Sequence, residues 1–272
     1  MSFFKVENLT AGYGGKQVVN HLSFELEAGS LTGLLGANGS GKSTLLKALC
    51  GILPHRGSCM LEKQFLEELS PRELARLCSY IPQRSGISID ISVLDVVLMG
   101  FNPRLGLLEY PSAQMKKKAR QALARAGLAG REEENYLHLS EGQKQLCILA
   151  RTLAAESRLL LLDEPESALD FCYRYRMLEL LREWIRDGEQ EQYGQRAALA
   201  ALHDPSLALN CCDRLLLLEG GEIRSVLRPF ADPLEKMEEQ LALIYGCVSL
   251  HRCMDKSGRE QLVMLKENGG WE

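Results

Sequence analysis

The sequence lacks any apolar run approaching the roughly 18 residues that a membrane-spanning helix requires. Its opening residues, Met1-Ser2-Phe3-Phe4-Lys5-Val6-Glu7, carry neither a charged-then-apolar leader nor a transit-peptide bias. A membrane role is therefore expected only through partner chains. The chain also lacks an excess of positive charge. Its 32 Lys and Arg stand against 36 Asp and Glu, and the net charge of −4 speaks against an electrostatic nucleic-acid binder. One basic run, Lys116-Lys117-Lys118-Ala119-Arg120, is followed closely by Glu132-Glu133-Glu134 and reads as solvated surface. The nine cysteines include no C-x-x-C and, along the sequence, no metal-ligand grouping, so scattered reduced thiols of a cytosolic protein are expected. There is no internal repeat and no low-complexity tract.

What is present is enough material for a sizeable core: 272 residues, 46% hydrophobic and 25% charged. The most informative stretch is Gly36-Ala37-Asn38-Gly39-Ser40-Gly41-Lys42-Ser43-Thr44, which fits the phosphate-loop pattern G-x-x-x-x-G-K-[ST] at every fixed position. Its three glycines let backbone N–H groups curl around a polyphosphate, and a following helix points its positive end at the same charge. Lys42 can reach the β- and γ-phosphates, and the Ser43 hydroxyl is placed to ligate Mg²⁺. Residues 30–35 read as a short buried strand before the loop. Leu45, Leu46, Leu49 and Cys50 form one helical face after it, stopped by Gly51. The strand–loop–helix setting points to a nucleoside triphosphate.

Alternating strand and helix signals predict a mainly parallel α/β core. Ser70-Pro71-Arg72-Glu73 combines a cap, a Pro at the first helical position and a capping-box Glu, predicting a helix to about Cys78 and then a strand at 79–81. Met115, Ala119, Ala122, Leu123 and Ala126 mark an amphipathic helix ended by Gly127. Residues 159–162 and 197–202 read as strands buried on both faces, and Asp204-Pro205 caps a further helix. Leu215-Leu216-Leu217-Leu218 leads into a hairpin turn at 219–222. The polar segment 188–195 reads as a loop. From Pro229 the pattern turns acidic and amphipathic, with Leu241, Ile244 and Tyr245 forming a packed face.

Asp163 and Glu164 follow the buried strand directly. Behind a phosphate loop, such a pair is suited to two tasks. Asp163 would hold Mg²⁺ through water, and Glu164 would orient or deprotonate the water that attacks the γ-phosphate.

Leu139-Ser140-Glu141-Gly142-Gln143 resembles the LSGGQ signature of ATP-binding cassette (ABC) ATPases, and other motifs follow in that family's order. Tyr13 stands where the family stacks an aromatic on adenine. Gln83, after Tyr80-Ile81-Pro82, resembles the Q-loop; Ser167-Ala168-Leu169-Asp170 resembles the D-loop; His203 after a strand resembles the switch histidine. The resemblance covers roughly residues 3 to 225. It implies an α/β fold with a P-loop (RecA-like), mainly parallel sheet core, an antiparallel β subdomain and a helical signature subdomain over about 84–155. The ATPase domain is then expected over 1–225, with a C-terminal appendage over 226–272.

The resemblance also implies the site. ATP would be held by Tyr13, Gly36, Asn38, Gly39, Ser40, Gly41, Lys42, Ser43 and Thr44, with Mg²⁺ held by Ser43, Gln83 and Asp163. Glu164, His203, Lys42 and Gln83 would serve hydrolysis. The site would be completed by Ser140, Gly142, Gln143 and Asp170 of a second copy, in a head-to-tail dimer with two-fold symmetry. Glu141 departs from the family, which has Gly there. A carboxylate aimed at phosphate repels it. Yet Ser140 and Gln143 also fit a capping box, in which Glu141 occupies the first helical position and favours the dipole. An active cassette, its rate tuned by Glu141, is expected.

Residues 93–106, Val-Leu-Asp-Val-Val-Leu-Met-Gly-Phe-Asn-Pro-Arg-Leu-Gly, resemble the D-V-V-L-M-G-R-x-P-H-x-G segment of ATPases serving iron–siderophore, haem and cobalamin importers. Phe101 and Arg104 replace the usual Arg and His, so the surface that docks a membrane partner is expected to be adapted there. The branch implies two multi-span membrane permease subunits and, indirectly, an extracytoplasmic substrate-binding protein. The chain would be cytoplasmic and peripheral on the cytoplasmic face of the membrane. The alternative is a soluble ABC ATPase of the iron–sulfur cluster assembly type.

Overall fold

The computed structural model describes residues 2–83, 86–167, 169–190 and 195–267. Two sheets organise the nucleotide-facing part of the chain. In the first, β1 (Phe4–Tyr13) pairs antiparallel with β2 (Lys16–Leu26) and with β4 (His55–Leu61), and β5 (Gln64–Phe65) adds an edge, giving the order β2-β1-β4-β5. Gly14 and Gly15 take φ values of 56° and 82°, as a two-residue hairpin turn between β1 and β2 demands.

The second sheet joins β3 (Leu31–Leu35), β6 (Cys78–Ile81), β7 (Leu159–Asp163), β8 (Ala197–Ala201), β9 (Arg214–Glu219) and β10 (Glu222–Leu227) in the order β10-β9-β3-β8-β7-β6. All neighbours are parallel except the terminal β9–β10 hairpin. Every residue of β3, β7 and β8 is buried, which is why these strands read as unbroken apolar runs instead of alternating. Their register places Leu34 and Asp163 on either side of Ala201. The C-terminal ends of three parallel strands therefore share one edge, where open α/β sheets bind ligands.

The helices start where local chemistry satisfies their first N–H groups. In α2 (Pro71–Leu77) the Ser70 side chain accepts from the Glu73 N–H while Glu73 reaches back to the Ser70 N–H. α3 (Val93–Leu98) and α4 (Ala113–Arg125) are capped by Ser92 and Ser112, and α7 (Pro205–Cys211) by Asp204. Each such cap contributes about 1 kcal/mol. α3, α4 and α5 (Glu141–Ala154) pack through Val96, Val97, Leu123, Ile148 and Leu149, all at most 1% exposed, and join the core beneath the parallel sheet.

The polar segment 188–195 is not wholly a loop. α6 (Phe171–Gln190) carries its first three residues, because the buried face of Leu181, Trp184 and Ile185 sustains the helix past Gly188; residues 191–194 lie outside the described residues. The last part of the chain forms α8 (Leu234–Tyr245) and a hairpin of β11 (Val248–Met254) and β12 (Glu260–Lys266). Met237, Leu241, Leu250 and Leu262 enter the same core as the parallel sheet, with Ile244 and Tyr245 packed against it. The Asn210 amide ties this hairpin to α7, donating to the Leu262 carbonyl and accepting from its N–H, both at 2.8 Å.

Candidate active site

The loop after β3 enters α1 (Lys42–Leu49) through Gly41, whose φ of 108° is the left-handed geometry glycine tolerates. At Gly36 a Cβ would lie 2.4 Å from the Leu218 carbonyl oxygen and 2.5 Å from Ser40 Oγ, so only glycine fits. The loop borders a cleft of about 440 Å³ lined by Asn38, Gly39, Ser40, Gly41, Lys42, Ser43, Thr44, Gln83 and Glu164, with Val18 alongside. Ser40 Oγ is buried without a hydrogen-bond partner, a polar atom for which a phosphate oxygen is a fitting acceptor.

Lys42 is 6% exposed. Its ammonium donates to the carbonyls of Gly36 at 2.8 Å and Ala37 at 3.3 Å and lies 3.8 Å from the Glu164 carboxylate. The Ser43 hydroxyl donates to Asp163 Oδ1 at 2.9 Å, and the Tyr80 hydroxyl donates to Asp163 Oδ2 at 3.0 Å. Burial, reinforced by the Asp163 charge, raises the Tyr80 pKa far above that of a free phenol, so Tyr80 acts here as a neutral donor.

Glu164 takes a φ of 46°, held by its own N–H donating to the Ala201 carbonyl at 3.0 Å, and this turn directs its carboxylate into the cleft. Gln83 Nε2 donates to Glu164 Oε2 at 2.8 Å, and the Gln83 carbonyl accepts from Gln145 Nε2 at 2.8 Å. Gln145 lies in α5, so Glu164, Gln83 and the helix opened by the signature form one hydrogen-bonded chain.

His203 follows β8 on the same sheet edge, with an exposed side chain. Its N–H donates to Glu166 Oε1 at 2.6 Å. Glu166 is buried, and desolvation raises its carboxyl above the usual carboxylate range even though that hydrogen bond pulls the other way.

Other sequence-predicted residues stand apart from the cleft. Tyr13, 49% exposed, ends β1. Ser140 and Gln143 form the capping box of α5, with the Gln143 N–H donating to Ser140 Oγ and Gln143 Oε1 accepting from the Ser140 N–H at 3.0 Å. Gly142 lies in the first turn of that helix. Glu141 points outward, its side chain 74% exposed and paired with Lys144 at 2.7 Å. Asp170 caps the start of α6 by accepting from the Tyr173 N–H at 3.1 Å. Ala168, within the same motif, lies outside the described residues.

Sequence reasoning assigned no role to Tyr80, Gln145 or Glu166. Tyr80, Gln145 and Glu166 each lie within three residues of a predicted site residue (Gln83, Gln143 and Glu164 respectively), which is the only signal the sequence carries for them. Two expectations are corrected. Phe101 is 1% exposed, and Arg104 donates to the carbonyls of Ala155 and Glu156, so both brace the helical part instead of forming an adapted docking surface. The cysteines are also not free of ligand groupings. Among the described residues, His55, Cys59 and Glu67 bring their donor atoms within 4.8 Å of one another, because a strand bend closes a spacing that looks too wide along the sequence.

The profile of the ABC transporter family matches residues 19–167. The hemin import ATP-binding protein HmuV of Deinococcus radiodurans is 36% identical over 259 residues, covering 92% of this chain and 94% of that protein. An uncharacterised ABC transporter ATP-binding protein of Haemophilus influenzae is 37% identical over 216 residues, covering 79% and 80% respectively. A solved inward-facing ABC transporter, described there as a putative metal-chelate type, has a chain that superposes with a TM-score of 0.79 at 28% identity, covering 98% of this chain and 99% of that one.

Proposed function

The chain belongs to the ABC transporter family of ATP-binding, ATP-hydrolysing subunits, and on that premise we propose that it energises import of an iron chelate, haem or cobalamin-type substrate. The observation that carries the reading is the division of the motifs. Lys42, Ser43, Gln83 and Glu164 converge on one cleft, and Asp163 bonds to Ser43 at its floor. Ser140, Gly142, Gln143 and Asp170 lie outside it. Two copies arranged head to tail would bring each signature to the other's cleft. ATP then closes the pair and hydrolysis reopens it.

Lys42 would exchange its carbonyl partners for the β- and γ-phosphates. Ser43 and Asp163 offer hard oxygen donors 2.9 Å apart, a set that fits Mg²⁺, with the Gln83 side chain nearby in the cleft. Mg²⁺, when bound, neutralises charge on the phosphates. Glu164 orients the attacking water and accepts its proton, while Gln83 and His203 respond to the γ-phosphate. Gln83 relays that response to α5 through Gln145. Tyr13 would stack on the adenine.

For partners, no helix among the described residues is long and apolar enough to cross a membrane, so the substrate passage would belong to two multi-span permease subunits. Leu107, Leu108 and Tyr110 are 99%, 89% and 90% exposed in the segment before α4, a cluster suited to an apolar partner surface. An extracytoplasmic binding protein would deliver the substrate to the permease. The chain itself would sit on the cytoplasmic face. The hemin importers among its relatives favour haem within the substrate class.

Affinity purification from detergent-solubilised membranes tests the proposal. Multi-span membrane proteins should co-purify, and ATPase activity in vesicles should rise when the substrate-loaded binding protein is supplied. Recovery with soluble partners alone would instead favour an assembly ATPase.

A further inference from the structure

We propose that His55, Cys59 and Glu67 form a binding site for a divalent transition-metal ion of the zinc(II) type, in the four-stranded sheet and separate from the phosphate cleft. None of the three lines that cleft. Cys59 Sγ lies 3.8 Å from His55 Nε2, and His55 Nε2 lies 3.0 Å from Glu67 Oε1. Donors around one tetrahedral zinc stand about 3.6 Å apart for S and N and about 3.3 Å for N and O. The observed separations differ from these by a few tenths of an ångström.

The backbone accounts for the convergence. Residues four apart on a flat strand have Cα atoms about 13 Å apart, out of reach of a common ion. Between His55 and Cys59 the β1–β4 register shifts, with Asn8 at φ 51° and Gly57 at φ 95°. The extra residue of this bulge lies on β1, and β4 answers it with the left-handed turn at Gly57, which brings His55 back over Cys59. A Cβ on Gly57 would lie 2.5 Å from the carbonyl oxygens of Glu7 and Asn8, so glycine is needed for this bend. Glu67 enters from the 3-10 turn at 66–68 and is fixed there, its Oε1 accepting the Cys59 N–H at 2.6 Å.

The donor set decides the class of ion. A thiolate with an imidazole and one carboxylate suits zinc or cobalt, whereas Mg²⁺ and Ca²⁺ take oxygen ligands alone. Cys59 loses its proton to solvent on ligation. Glu67 is exposed, which leaves room for water as a fourth ligand, and His55 also borders an open cleft of about 380 Å³.

The test is a titration of the reduced, metal-stripped full-length chain with cobalt(II) alone, without nucleotide or Mg²⁺. One equivalent should bind with a thiolate-to-cobalt charge-transfer absorption that zinc(II) abolishes. Cys59→Ser should remove the absorption, and His55→Ala and Glu67→Gln should each weaken binding at least about tenfold. The buried Cys59 can affect folding when replaced, so the two more accessible variants carry the same test, with unchanged thermal melts as the control. No stoichiometric absorption in the wild type, or full-strength binding in folded His55→Ala, would show that the three side chains form only a hydrogen-bonded cluster and would overturn the proposal.

Discussion

The Tyr80 hydroxyl and the Ser43 hydroxyl hold opposite oxygens of one carboxylate, Asp163, at 3.0 and 2.9 Å. Ser43 comes from the helix after the phosphate loop and Tyr80 from the edge strand β6, so Asp163 is braced from both sides before any ion arrives. A carboxylate pinned in this way presents its lone pairs in a fixed direction. Tyr80→Phe removes one brace without changing the packing of the ring. We expect about a tenfold rise in the Mg²⁺ concentration needed for half-maximal ATPase activity, with little change in nucleotide affinity measured without metal. An unchanged Mg²⁺ dependence would count against the brace.

Glu164 is the carboxylate that reaches into the cleft, bonded to Gln83 and 3.8 Å from the Lys42 ammonium. Glu164→Gln keeps the shape of the side chain and removes its capacity to take a proton. The variant should bind ATP, lose at least about 100-fold in turnover and accumulate as a nucleotide-trapped dimer on size-exclusion chromatography. Normal turnover would mean that another group is the base.

Glu141 carries a negative charge into the signature, partly offset by Lys144 at 2.7 Å. Ser140 and Gln143 complete the capping box without it, so the helix start does not depend on this residue. One charge opposite a phosphate at about 4 Å in a wet interface costs about 1 kcal/mol, or roughly fivefold in rate. Glu141→Gly should therefore raise kcat several-fold, with a small loss of melting temperature from the added backbone freedom. Identical turnover in the two proteins would show that the charge stays clear of the partner's nucleotide.

Glu166 gives a pH signature. Burial raises its folded-state pKa above the 4.5 of a free glutamate. Below that value the group is protonated in both states, and its contribution to stability is fully present. As the pH climbs through the raised folded value, the native state must ionise a buried group and that contribution is lost. Glu166→Gln keeps an oxygen for the His203 N–H and cannot ionise. The melting temperature of the wild type should fall relative to this variant as the pH rises above 4.5, and a difference that stays constant with pH would exclude the effect.

The parts of the site fixed by local sequence were legible in advance. The phosphate loop needs glycine at Gly36 and Gly41 for reasons visible in three dimensions, and the same reasons make the pattern recognisable along the chain. The capping boxes at Ser70 and Ser140 were equally readable, since each is closed within four residues. Relationships set by tertiary register were not. Tyr80 meets Asp163 because β6 lies beside β7, and Gln145 meets Gln83 because α5 crosses the end of β6; neither pairing has a local spacing. His55 and Cys59 are close in sequence, yet a bulge set by Asn8, some fifty residues upstream, decides that they touch. Helix α6 outlasted the polar composition of its end because Trp184 and Ile185 anchor it from below.

The double hydrogen bond between the Asn210 amide and the Leu262 backbone joins β12, the last strand among the described residues, to α7, which begins two residues after His203. It works as a strut. A displacement of His203 on loss of the γ-phosphate would be transmitted along α7 to the β11–β12 hairpin, and a load placed on that hairpin would be felt at the histidine. If His203 serves as the switch, the β11–β12 hairpin would stand mechanically in series with it, and a partner that gripped the hairpin would have leverage over the hydrolytic cycle.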